Sequence, residues 1–412
     1  MTTGSKPRHA PQIHFPVADD VLQVGGIPLT RLAQRVGRTP FFAYDRGLLT
    51  QRVHELRGQL PAGVALHYSI KANPMPALVQ HMAGLVDGLD VASGSELKTA
   101  LDAGMAPSHI SFAGPAKGEH ELAQAIAAGV CLNIESEHEL ASVARLGEAQ
   151  GSAPRVALRV NPPFELKSSG MKMGGGAKPF GIDAEEAPRV LREIAALGLD
   201  FQGFHIFSGS QSLRADAIVE AQSRSIELGI RLADEAPLAV RQLNIGGGFG
   251  IPYFPGDQRL DVAPIAVHLQ DWLPRLRAAL PQARLALELG RYLVGESGVY
   301  VTRVVDRKVS RGEVFLVTDG GMHHHLAASG NLGQVIRKNY PVAVGNRMAP
   351  ADSGPASVTG PLCTPLDVLA DRMELAHARI GDLIVVFQSG AYGPSASPAG
   401  FLGHPAALEV LV

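Results

Sequence analysis

Cysteine is almost absent from this chain. Only Cys131 and Cys363 occur in 412 residues, which argues against a disulfide framework and makes a reducing cytoplasm the expected compartment. Charge is scarce and balanced: 37 Lys and Arg face 39 Asp and Glu for a net charge of -2, and only 18% of residues are charged. A nucleic-acid footprint and a self-repelling disordered tail are therefore not expected. Apolar runs of the ~20 residues that a membrane span needs are also missing. The basic opening MTTGSKPRHA leads into no apolar stretch, so neither a signal peptide nor a membrane partner is expected.

What is present is a beat. Runs at 65–70 (ALHYSI), 88–92 (GLDVA), 109–113 (HISFA), 131–135 (CLNIE), 156–160 (VALRV), 203–207 (GFHIF), 242–246 (QLNIG) and 284–289 (RLALEL) read as strands. Between them, stretches such as Glu96 to Ala103, Glu119 to Ala128, Ser136 to Gln150, Ala184 to Leu197 and Arg214 to Glu235 place apolar residues three and four apart, the spacing of helices. Eight such units predict a closed (β/α)8 barrel over residues 45–294, with an open doubly wound sheet as the alternative. From 295 to 412 the runs GVYVTRVVDRKV, EVFLVTDGG, YPVAVG, DLIVVF and ALEVLV follow one another with little helix. They predict a second, antiparallel β domain, a sandwich or barrel, joined by the N-terminal segment 1–44. Residues 346–358 (NRMAPADSGPASV) read as a surface loop.

In a parallel barrel the chemistry sits where strands end. The first predicted strand runs into Lys71-Ala72-Asn73-Pro74, and alternation puts His67, Ser69 and Lys71 on one face. A lysine in a barrel mouth either reaches solvent or is paired or reactive, because burying it alone is costly. The seventh strand enters Gly246-Gly247-Gly248-Phe249-Gly250, a tight turn or an amide nest for phosphate. It fits neither the dinucleotide nor the P-loop spacing. On the eighth strand Glu288 shares parity with Ala286 and Gly290, and Arg291 follows; the two form a plain ion pair unless a cofactor lies between them. Together a lysine, a glycine nest, an inward acid and an arginine are the parts needed to hold pyridoxal 5'-phosphate.

The motifs YSIKAN (68–73), LDVASGSEL (89–97), NIGGGFGIPY (244–253), ELGR (288–291), DGGM (319–322), GPLC (360–363), GAYG (390–393) and the ending LEVLV closely resemble the fold-type III pyridoxal-phosphate decarboxylases, the diaminopimelate and ornithine decarboxylase family. The resemblance implies a TIM-like barrel of the alanine-racemase type and a cytoplasmic homodimer with shared active sites. It implies Lys71 as the residue that carries the cofactor aldehyde, with Ser210, Gly246, Gly247, Gly248, Gly290, Arg291 and Tyr392 around the phosphate. Glu288 is implied to pair with the pyridine nitrogen. Cys363 matches the cysteine that the family presents across the dimer near the substrate α-carbon, where it can supply the proton that replaces CO2.

Two departures bear on the substrate. The family's second histidine in His-x-His-Ile-Gly-Ser-Gln, which stacks on the cofactor, is here Phe207 in His205-Ile206-Phe207-Ser208-Gly209-Ser210-Gln211, so His205 or Phe207 faces the ring. After Cys363 the family's acid for a distal ammonium is replaced by Thr364-Pro365, which speaks against diaminopimelate and ornithine because an unpaired buried ammonium is costly. The run Met171 to Gly181 resembles a branch associated with antibiotic, siderophore and exopolysaccharide-export pathways, some of whose members act on amino acids tethered to an acyl carrier protein. Lys172, Lys178, Arg337 and Thr364 are the candidate substrate contacts. Diaminopimelate decarboxylation, an amino-acid racemase on the same fold and a non-catalytic regulator are the alternatives. His323-His324-His325 are expected to line or flank the pocket entrance, with no metal assigned to them, since neighbours in a strand cannot all face one site.

Overall fold

The computed structural model describes residues 10–166, 170–332, 334, 337–349 and 351–412. They form two compact units, Arg52–Ile251 with Arg259–Leu293, and Met1–Gln51 with Pro252–Gln258 and Val294–Val412. Strands are numbered along the chain from β1 (Phe41–Tyr44), which belongs to the second of these units.

The first unit is a closed parallel barrel of β2 (Val64–Ser69), β3 (Gly88–Val91), β4 (Ile110–Phe112), β5 (Cys131–Ile134), β6 (Arg155–Asn161), β7 (Asp200–Ile206), β8 (Gln242–Asn244) and β9 (Arg284–Leu289). Each strand pairs with the next, and β9 pairs back onto β2 from Leu285↔Val64 to Leu289↔Tyr68. That closure excludes the open sheet. The strands are short and buried on both faces, as expected where helices cover one side and packed side chains fill the other. Helices form where their start signals lie: Ser93 Oγ accepts the Glu96 N–H at 3.2 Å to cap Gly94–Asp102, and Ser136 Oγ accepts the Glu139 N–H at 3.1 Å to cap Glu137–Ala149. These caps fix where each crossover helix begins. The long helix Ala215–Asp234 buries Ala217, Ile218, Ala221, Ile226 and Leu232 on one face, which holds it against the barrel wall.

The second unit is built on β10 (Gly298–Ser310), joined by β11 (Glu313–Thr318), β12 (Val342–Val344), β13 (Ser353–Thr359), β14 (Val368–Ala376), β15 (Leu383–Val386) and β16 (Leu408–Leu411). The sheet runs β12-β15-β10-β11-β13-β14, and β1 pairs with both β10 and β16. It is mostly antiparallel, with parallel pairings between β11 and β13 and between β16 and β1. Phe41, Val299, Val301 and Val385 lie at the centre of its core, each contributing on the order of 1.5–3 kcal/mol by burial.

Two expectations are corrected here. Residues 346–358 are not all loop, because β13 begins at Ser353 and lies between β11 and β14. The Pro, Ala and Ser composition hides it: Pro355 pairs only with Glu374 of β14 and lies beyond the last β11 pairing at Ala356, near the start of the strand, where proline is tolerated. His323, His324 and His325 lie in a turn after β11 and are 0%, 2% and 0% exposed, so they are core residues of this unit rather than the rim of an entrance. Among the described residues no helix is long and apolar enough to cross a membrane, and no group of three or more His, Cys, Asp or Glu is arranged to hold a metal ion.

Candidate active site

The barrel strands deliver their polar residues to one end. Beyond β2 the chain turns through Ile70–Ala72, pinned by the Asn73 N–H donating to Ile70 O at 2.9 Å and the Tyr68 hydroxyl donating to Asn73 O at 2.8 Å. Lys71 rides on this turn with its side chain 46% exposed and its Nζ 4.0 Å from Glu288 Oε1. Its ammonium also lies 5.8 Å from the centroid of the Phe207 ring.

Glu288, on β9, is the electrostatic centre. Ser69 Oγ donates to its Oε1 at 2.8 Å, and His205 Nε2 donates to its Oε2 at 2.9 Å. Burial opposes its charge, yet the His205 hydrogen bond and charge, Lys71 and the Ser69 hydroxyl together hold the carboxyl well below the usual carboxylate range. A buried acid kept ionised in this way can hold a proton on a ring nitrogen placed against it. Phe207 is half-buried with its ring centroid 6.4 Å from that of His205. The two aromatic candidates thus divide: His205 serves the carboxylate and Phe207 lies beside the lysine.

The turn after β8 forms the next wall. Gly246 and Gly248 adopt φ of +66° and +79°, a region that favours glycine. A Cβ at Gly246 would lie 2.6 Å from the Phe207 ring and one at Gly248 2.8 Å from Leu166. The Gly246 N–H donates to Asn244 Oδ1 at 2.9 Å, whereas among the described residues the N–H groups of Gly247 and Gly248 have no protein acceptor. Ser210 follows Gly209, whose carbonyl would lie 3.1 Å from a Cβ at Gly248, and its backbone pairs antiparallel with Met171; Gly290 and Arg291 close the end of β9, Arg291 half-buried at the start of Arg291–Val294. Open amides, a hydroxyl and a guanidinium suit a phosphate dianion. With the lysine, the ionised acid and the aromatic face they fit pyridoxal 5'-phosphate, which when bound serves as an electron sink.

Three site residues have no role assigned from sequence. Ser69 shares strand parity with Lys71, Asn244 shares parity with Gly246, and Glu96 follows a helix-capping serine; parity and capping were the available signals. Glu96 accepts the Ala92 N–H at 2.8 Å; burial raises its pKa above the ordinary glutamate value, opposed by that hydrogen bond and by Lys71. A buried ionic cluster also braces the ends of β5 and β6. Lys117 Nζ lies 2.6 Å from Glu139 Oε1 and Arg159 Nη1 2.8 Å from Glu135 Oε1. Glu135 in turn accepts the Gly114 and Gly181 N–H groups. The glycine run 174–176 is tied down as well, by the Gly175 N–H on Pro162 O and Asn161 Nδ2 on Gly176 O, both within 3.1 Å.

The remaining candidates are placed as follows. Lys178 is half-buried, and Lys172 is placed by its backbone, which pairs with Gly209. In the second unit Cys363 is a free, exposed thiol, unlike Cys131, whose thiol burial pushes up to about 12. Thr364 Oγ1 accepts the Leu366 N–H at 3.3 Å. Tyr392 takes φ of +54°, a backbone strain that a non-glycine residue keeps only where the surroundings enforce it. Arg337 is half-buried and donates to Val368 O.

Fold and site define a pyridoxal-phosphate enzyme of the β/α-barrel type. Residues 46–295 match the family described as pyridoxal-dependent decarboxylase, pyridoxal binding domain, and the chain belongs to that family. It is similar to the L-glutamyl-[BtrI acyl-carrier protein] decarboxylase of Niallia circulans, 37% identical over 93% of this chain and 90% of that protein. It is similar to the diaminopimelate decarboxylase of Aquifex aeolicus, 32% identical over 96% of this chain and 91% of that protein. Among solved structures it resembles the diaminopimelate decarboxylase of Helicobacter pylori complexed with L-lysine, with a TM-score of 0.82 and 26% identity over 93% of this chain and 94% of the other. The chain is a pyridoxal-phosphate-dependent amino acid decarboxylase, a carboxy-lyase.

Proposed function

We propose that the enzyme removes the α-carboxylate of an acidic amino acid whose side-chain carboxyl is held as a thioester on a carrier protein, a glutamyl group being the model. The Niallia circulans relative, named for an L-glutamyl carrier-protein substrate, supports this reading. The observation that carries it is the segment after Cys363, where no acid is available for a distal ammonium. Asp367 is buried and its carboxylate accepts the Met322 and Leu362 N–H groups at 2.6 and 2.9 Å, while Thr364 contributes only a hydroxyl. A thioester carbonyl needs no counter-charge at that end. Because CO2 leaves from the α-carbon, the α-carboxylate must be free, and only a side-chain carboxyl can then form the thioester.

The residues take these parts. Lys71 bonds the cofactor aldehyde, Glu288 accepts the pyridinium N–H, and Phe207 packs on the ring. Gly247, Gly248, Ser210, Gly290 and Arg291 hold the phosphate. Cys363 and Tyr392 are contributed by the second copy in a homodimer, where the Cys363 thiol delivers the proton that replaces CO2. The exposed position of Cys363 supports that role.

The test is to incubate the purified protein with glutamyl-loaded carrier protein and with free glutamate, diaminopimelate and ornithine, following amine and CO2 by mass spectrometry. The carrier-linked substrate should be turned over. Free diaminopimelate with kcat/KM of about 10⁴ M⁻¹s⁻¹ or higher, within the usual enzyme range, overturns the reading.

A further inference from the structure

In the β unit a pocket of about 520 Å³ is lined by Pro255, Arg337, Lys338, Asn339, Asp371 and Arg372. Three cations face one acid there, a local surplus of positive charge in a chain whose net charge is -2. Arg337 donates to Val368 O from one end of its guanidinium, while its Nε is buried without a hydrogen-bond partner. Lys338 Nζ sits 5.4 Å from the Phe254 ring centroid. Arg372 stands on a backbone of φ +44° whose N–H donates to Ser357 Oγ at 3.0 Å. Asn339 and Asp371 exchange hydrogen bonds, Nδ2 to O at 2.8 Å and N to Oδ1 at 2.9 Å, which locks the floor. Asp371 keeps its carboxylate near Arg372, 3.6 Å away, and offsets only part of the charge.

Two guanidinium groups with a flanking ammonium around one pocket match the charge and donor pattern of a phosphate. We propose that this pocket binds the phosphate of a phosphopantetheine-bearing ligand. The proposal rests on the carrier-linked reading of the substrate, and it names the part of the carrier that the β unit grips: the arm's phosphate, not the amino acid. Free phosphate and nucleotide-linked pantetheine share the same chemistry, so the test separates these sources.

Titration calorimetry on the holoenzyme with 4'-phosphopantetheine, pantetheine, inorganic phosphate, coenzyme A, and carrier protein with and without its arm reads the pocket directly. The phosphorylated arm should bind at least tenfold more tightly than pantetheine, and the armed carrier at least tenfold more tightly than the bare one. The double variant Lys338→Glu/Arg372→Glu alters two exposed side chains and should lose at least tenfold for both phosphorylated ligands while retaining its cofactor absorbance. Equal affinity for phosphopantetheine and pantetheine, or binding unchanged in the double variant, overturns the proposal; so does phosphate-dependent binding confined to coenzyme A or inorganic phosphate. If phosphopantetheine binding behaves as expected but carrier-linked substrate is not decarboxylated, the pocket stands and the substrate reading falls.

Discussion

Glu288 keeps its charge where burial alone would remove it, because the His205 hydrogen bond and charge, the Lys71 ammonium and the Ser69 hydroxyl together outweigh that burial. Ser69 from β2, His205 from β7 and Asn244 from β8, the last at 3.5 Å, all point at one carboxylate. A hydrogen bond to a charged group is worth about 1.5–3 kcal/mol. Ser69→Ala should therefore weaken cofactor binding or turnover about ten- to a hundredfold, while Glu288→Gln, which removes the charge itself, should cost about 10² or more in kcat. Cofactor fluorescence titration beside steady-state kinetics distinguishes lost binding from lost chemistry; a Ser69→Ala enzyme equal to wild type in both would dismiss the hydroxyl as a positioning group. Borohydride reduction and peptide mapping should place the phosphopyridoxyl group on Lys71, and a label on any other lysine removes Lys71 from its role. At this scale Lys71 and Glu288 were legible because a charged residue at a strand end inside a barrel has few bland explanations. Ser69 and Asn244 were not, since small polar residues gain meaning only when closure brings β2 and β8 to either side of β9.

At the scale of elements, the barrel strands and their helices were readable because each carries its own period and cap, as Ser93 and Ser136 show. Strand β13 was not, since its evidence is non-local: Ala356 and Val358 are buried only because β11 and β14 flank them. The histidine turn was misjudged for the same reason. Alternation along an assumed strand separated three neighbours that a turn in fact buries together. His325 makes that turn pH-sensitive. Its Nε2 donates to Ser389 Oγ at 2.9 Å and its Nδ1 accepts the Ala328 N–H at 3.3 Å, a pattern that only the neutral ring satisfies. Burial lowers its pKa from the ordinary 6.5 to about 3, and His323, also buried and beside two other histidines, falls to about 4. Above about pH 6.5 the ring is neutral folded or unfolded; below that the unfolded chain gains protons that the folded one refuses. Stability is thus fully present above pH 6.5 and is lost as pH falls towards the folded values, on the order of 1 kcal/mol per pH unit for each such histidine. Thermal unfolding between pH 7.5 and 5 should show the loss, and His325→Phe should reduce its slope by on the order of 1 kcal/mol per pH unit, leaving the His323 share, while lowering stability at pH 7.5 by about 1 kcal/mol for the lost hydrogen bonds. A variant with the wild-type slope would place the sensitivity elsewhere.

For the whole molecule, closure of eight strands and a β sheet built on β10 follow from local patterns repeated along the chain, whereas the pairing of two copies proposed above has no such local pattern behind it. Lys71 belongs to the barrel and Cys363 to the β unit; in the proposed homodimer, two-fold symmetry would assign them to opposite copies in both sites at once. That symmetry has a countable consequence. A Lys71→Ala chain keeps Cys363, and a Cys363→Ala chain keeps Lys71, so a mixed dimer holds one site with both residues intact and one site with neither. If subunits exchange at random from an equal mixture, half the dimers are mixed and each carries one working site of two, so activity should recover to about a quarter of wild type. Each variant alone should fall by about 10² or more, the usual contribution of a positioned proton donor, with the lysine loss at least as severe. Mixing the two purified variants, demonstrating exchange with differently tagged subunits, and assaying before and after gives the result. Activity that stays at the sum of the two variants after proven exchange would mean that each site is built within one chain.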